Sequence, residues 1–169
     1  MKILDFIEQE KIYGIIREDD TERSFELASA YIEGGIKLIE LNSPLETTKK
    51  LLKKHDDIII SQGGIITTQQ AHCAIEAGAK IISSPIFQTN LVRFATCYKT
   101  FLIPSATTPN EAYNVWKARM PLIKIYPVAE MGGVQYIKDL IKPMPFLNLL
   151  PCGFVKSFIY WTPPISATG

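Results

Sequence analysis

The feature that most constrains this chain is a strict alternation of short apolar runs with stretches of helical spacing. The runs lie at 12–16, 38–42, 57–61, 80–84, 100–104, 122–126 and 146–151. Each is almost continuously apolar, as expected of strands in a parallel sheet covered on both faces. A short amphipathic helix at 3–10 precedes the first run. Thr21 stands where a helix cap is wanted, ahead of Phe25, Leu27, Ala28, Tyr31 and Ile32, and Gly34-Gly35 ends that helix. Further helices are expected at 47–54, from Thr67 or Thr68 to Ala77-Gly78, at 89–97, at 108–119 with Pro109 in a favourable first position, and from Gly132-Gly133 to near Leu140. Near-even βα spacing predicts an α/β fold, a TIM-type (β/α) barrel, over a doubly wound sheet. The latter would carry GxGxxG after its first strand, where Arg17-Glu18-Asp19-Asp20 stands instead. A full barrel needs at least roughly 200 residues, and the chain has 169. The expectation is therefore a single barrel domain at 1–154, incomplete at the C-terminus, with residues 155–169 an atypical tail in place of the last βα unit.

The formal net charge of +1 gives no basic field for nucleic acid. No apolar stretch approaches the ~20 residues that span a bilayer, so no membrane is expected. Asp5, Glu8 and Glu10 near the N-terminus do not fit a signal peptide. Cys73, Cys97 and Cys152 are odd in number and far apart, which suits reduced thiols and a cytoplasmic setting. His55 and His72 have no metal-ligand spacing, so no metal is expected.

One charged residue interrupts an apolar run in a way that asks for chemistry. In 122–126, strand parity puts Leu122, Lys124 and Tyr126 on one face and Ile123 and Ile125 on the other. On an edge strand Lys124 would simply face water and discourage aggregation. On a central strand it is a desolvated amine, and lysine in that setting serves as a nucleophile. Glu40 occupies the same parity in 38–42, and points inward if Ile39 and Leu41 meet the helices. Chemistry in a (β/α) barrel sits at the C-terminal ends of the strands. Glu40 and Lys124 then read either as an acid/base and nucleophile pair or as a buried salt bridge.

The runs IKLIELNSP, IIISQGGIITTQQAHCAIEAGAKIISSP, LIKIYPVAEMGG and LLPCG resemble the 2-keto-3-deoxy-6-phosphogluconate aldolase family, which includes the 4-hydroxy-2-oxoglutarate aldolases. The resemblance extends from about Ile12 to Gly153, and KIYPVAEMGG is its most specific piece. It implies class I aldol chemistry in a homotrimeric barrel, on a small-molecule 2-oxo acid, with no cofactor. Lys124 matches the family's Schiff-base lysine and Glu40 its proton-transferring glutamate. Pro85 matches a proline lining the site at the end of the fourth strand.

The chain also departs from the family. Pro44 stands where the family has an arginine, and Gly64 where it has a threonine, both of which hold the substrate carboxylate. In the phosphate loop Gly153 is kept, while Phe154 replaces an expected second glycine. Two other functions remain open at this point: a catalytically impaired remnant of the family, and a phosphosugar isomerase or epimerase that needs an acid/base pair but no imine.

Overall fold

The computed structural model describes residues 2–153; the expectations for Phe154 and for 155–169 concern residues outside them. The described residues group into two compact units, dividing between Leu102 and Ile103.

In the first unit the N-terminal helix α1 (Ile3–Glu10) leads into β1 (Gly14–Arg17), α2 (Thr21–Glu33), β2 (Leu38–Asn42), α3 (Leu45–Lys54), β3 (Ile59–Gln62), α4 (Thr68–Glu76), β4 (Ile81–Ser84) and α5 (Thr89–Tyr98). Strand β5 (Phe101–Ala106) crosses the division. The second unit continues with α6 (Pro109–Lys117), β6 (Ile123–Ile125), α7 (Gly133–Ile141) and β7 (Leu149–Pro151).

Strands β1 to β4 pair in parallel, each beside its predecessor in sequence. So do β5, β6 and β7. Neither unit contains the reversal of strand order that defines a doubly wound sheet. The predicted alternation is thus present, with ends trimmed. The run at 146–151 is a strand only over its last three residues, because Met144 and Leu147 are held in turns that bond back to Ile141 and Met144.

Local chemistry sets the helix starts. Asp20, and not Thr21, caps α2: its carboxylate accepts the Arg23 N–H at 2.8 Å, and Thr21 is already helical. Aspartate is at least as good a cap as threonine. Helices α4 and α6 both open on capping boxes, Thr67 with Gln70 and Thr108 with Glu111, and Pro109 occupies the first turn of α6 as expected.

Ile16, Ile39, Leu41 and Ile60 pack with Ala28 and Leu51, and with Phe25, Tyr31 and Leu52, of helices α2 and α3. This cluster is the helix-facing side of β1, β2 and β3. In the second unit Ile103, Val115, Leu122, Ile123 and Ile125 are fully buried. Trp116 is 40% exposed and lies against Phe146, with ring centroids 4.4 Å apart.

Candidate active site

Glu40 and Lys124 belong to different units, and each has its own setting. Ile39 and Leu41 lie in the helix-facing cluster, so the pleat turns Glu40 and Asn42 to the opposite face. Glu40 is 2% exposed. Its register partners are Ile15 on β1 and Ser61 on β3. Asn42 Nδ2 donates to Glu40 Oε1 at 3.1 Å. Gly63, just past β3, lies against both side chains: a Cβ there would come within 2.7 Å of Glu40 Oε1 and 2.5 Å of Asn42 Oδ1.

Lys124 lies at the middle of β6, with Ser105 of β5 on one side and Leu150 of β7 on the other. It is therefore not an edge-strand lysine. It is 4% exposed, and so is Ser105. At the end of the strand Tyr126 and Pro127 support Gly153, whose Cα carries φ +100° and would place a Cβ 3.3 Å from both. Gly153 is in the left-handed region, which suits glycine.

The other expected site residues stand at strand ends. Pro85 lies in the bend directly after β4 and is exposed. Pro44 is the N-cap of α3, with its carbonyl accepting the Thr47 N–H at 3.0 Å. Gly64 has φ +71°, a conformation in which a β-branched residue is a genuine outlier. A threonine in the backbone that Gly64 adopts would be strained.

Two residues of this face were missed in the sequence. Arg17 ends β1 in register with Asn42, on the face opposite Ile16 and hence on that of Glu40. The GIIR run shows that Arg17 and Ile16 face opposite sides, but which side is which depends on where Ile16 packs. Ser61 is fully buried, and its Oγ has no hydrogen-bond partner among the described residues. The Gly132 and Gly133 N–H groups donate to the Ala129 and Val128 carbonyls and make a turn.

A family model described as "KDPG and KHG aldolase" matches residues 3–160. The chain belongs to this aldolase family. The 2-dehydro-3-deoxy-phosphogluconate aldolase of Treponema pallidum is 23% identical over 155 residues, 89% of this chain and 74% of that protein. The crystal structure of the 2-keto-3-deoxy-6-phosphogluconate aldolase of Zymomonas mobilis ZM4 superposes with a TM-score of 0.82 at 20% identity, covering 90% of this chain and 75% of that one. The aldolase of Legionella pneumophila, solved with pyruvate captured as a covalent carbinolamine, gives 0.80 at 25% identity, covering 88% and 74%. The fold is accordingly the α/β, TIM-type barrel of these enzymes, represented among the described residues by seven parallel strands. Among the described residues no helix is long and apolar enough to cross a membrane.

Proposed function

We propose that the chain is a carbon–carbon lyase of the class I type, cleaving a 2-keto-3-deoxy-6-phosphogluconate or 4-hydroxy-2-oxoglutarate type of substrate through a lysine Schiff base. The observation that carries this reading is Lys124, an almost fully buried lysine on a strand flanked by two others. A buried amine is suited to nucleophilic attack on a carbonyl.

In this mechanism the Lys124 amine adds to the 2-oxo carbon. The carbinolamine loses water, leaving an iminium. The bond between C3 and C4 then breaks, its electron pair passing to the iminium nitrogen as an enamine forms. Glu40 takes the proton of the C4 hydroxyl, and the aldehyde fragment, glyoxylate for the shorter substrate, departs. Glu40 returns that proton to C3 of the enamine, and hydrolysis of the resulting iminium releases pyruvate and restores the amine. The low exposure of Glu40 supports its role in proton transfer, since a carboxylate screened from bulk water exchanges protons with what is held beside it.

The substrate carboxylate lacks the family arginine at Pro44. Arg17, on the Glu40 face of β1, is the cation this reading assigns to it, because a guanidinium grips a carboxylate with two hydrogen bonds. Gly64 contributes its backbone, Pro85 lines the site and Gly153 belongs to the phosphate end. A homotrimer in the cytoplasm completes the reading, and sedimentation velocity tests the oligomer.

The decisive experiment is incubation with pyruvate and borohydride, followed by peptide mass spectrometry. The expected result is a reduced adduct on Lys124, absent in Lys124→Arg, which keeps a charge but cannot form the imine. A folded wild-type protein with no adduct overturns the proposal.

A further inference from the structure

We propose that Asn42 is the positioning residue for the Glu40 carboxylate, and that Gly63 is glycine because this pair fills the space a side chain would need. The inference rests on the reading of Glu40 as the proton carrier.

Asn42 lies two residues after Glu40 on the same strand face, and its Nδ2 donates to Glu40 Oε1 at 3.1 Å. A carboxylate only accepts, so the amide nitrogen must face Glu40, which turns Asn42 Oδ1 toward Gly63. A Cβ on residue 63 would lie 2.5 Å from Asn42 Oδ1, 2.7 Å from Asn42 Nδ2 and 2.7 Å from Glu40 Oε1. All three separations are below contact distance, so any side chain at 63 displaces the pair. The backbone there cannot easily withdraw, because the Gly63 N–H donates at 2.9 Å to the carbonyl of Leu41, the residue between the two. Glu40 is thus held by a donor on one side and by a close backbone on the other.

A glutamate has three rotatable side-chain bonds, and a proton carrier works only within hydrogen-bond reach of its target. Restricting the carboxylate to one rotamer is what the Asn42–Gly63 arrangement supplies. A displacement of about 1 Å in such a group can lower a rate by roughly 100-fold.

The test uses exchange of pyruvate methyl protons for deuterium, the partial reaction in which the enamine forms and is reprotonated. Asn42→Ala is expected to lower this exchange at saturating pyruvate by about 10- to 100-fold while KM changes little and the borohydride adduct on Lys124 persists. Asn42→Thr, which restores a short donor, recovers much of the rate. Asn42→Ala adds no further loss in a Glu40→Gln background, because the two act as one unit. Gly63→Ala repeats the Asn42→Ala defect, with urea unfolding confirming that both variants are folded. Exchange at the wild-type rate in Asn42→Ala, or full additivity with Glu40→Gln, overturns the role of Asn42 alone. A wild-type protein that forms no adduct and exchanges no protons overturns the Schiff-base reading and this inference with it.

Discussion

Thr107 donates its hydroxyl proton to the carbonyl of Tyr126 at 2.7 Å, joining the end of β5 to the end of β6. The same residue uses its N–H on Glu111 Oε2, at 2.8 Å, and its carbonyl accepts from the Tyr136 hydroxyl. One threonine thereby ties together two strand ends, the start of α6 and helix α7, and Tyr126 is two residues beyond the lysine assigned to the imine. Thr107→Val keeps the shape and removes the hydroxyl. It should lower stability by ~1 kcal/mol, read as a lower urea midpoint at unchanged m-value.

Two groups on this junction make stability pH-dependent at opposite ends of the scale. N–H groups of Thr107 and Thr108, with the Thr108 hydroxyl, hold the Glu111 carboxyl below its ordinary value. A lowered value means that its contribution is present above the ordinary carboxylate range and is lost as pH falls through the folded-state value. Burial raises the Tyr136 hydroxyl, and the nearby Glu111 carboxylate adds to the shift. A raised value means that its contribution is present below the ordinary tyrosine range and is lost as pH rises through the folded-state value. The urea midpoint of Glu111→Gln should therefore vary less than that of wild type below about pH 4.5, and the gap between wild type and Tyr136→Phe should narrow above about pH 10. A Glu111→Gln curve parallel to wild type in acid would remove that residue from the account.

The alternation of β and α, the parity of Glu40 and Lys124 and the capping of α4 and α6 were all legible, because each depends on spacing within a few residues. Whether Lys124 lay at an edge or inside the sheet was not legible, since that depends on β7, a strand of three residues in a run that reads as six. Arg17 was hidden for a related reason: its face is fixed by packing of Ile16 against α2 and α3, a contact between segments distant in sequence. The close approach of Gly63 to Asn42 needs three dimensions altogether, because nothing in the string SQGG distinguishes one glycine from the other.

Ser61 offers a test of stability against function. Its Oγ is fully buried and has no hydrogen-bond partner among the described residues, an arrangement that costs roughly 1–3 kcal/mol for such a group. Ser61→Ala removes the hydroxyl with almost no change of volume, and should raise stability by ~1 kcal/mol in urea unfolding. A loss of stability would mean that the hydroxyl is engaged by water or a bound molecule beside Glu40.

Placing the residues that the resemblance leads one to expect at positions 44 and 64 calls for opposite outcomes. Pro44 caps α3 through its carbonyl alone, at φ −55° and ψ 142°, a backbone region open to every residue type. Pro44→Arg should therefore fold normally. A new charged hydrogen bond is worth ~1.5–3 kcal/mol, so the pyruvate concentration needed for half-maximal adduct formation should fall by about tenfold or more. Gly64 sits at φ +71°, where threonine is strained. Gly64→Thr should lower stability by about 1–3 kcal/mol and leave pyruvate affinity unimproved, because the hydroxyl arrives on a loop that must first change its backbone. If Gly64→Thr instead tightened pyruvate binding without loss of stability, the left-handed turn at residue 64 would not be the barrier. If Pro44→Arg gave no gain, the carboxylate would already be held fully by Arg17.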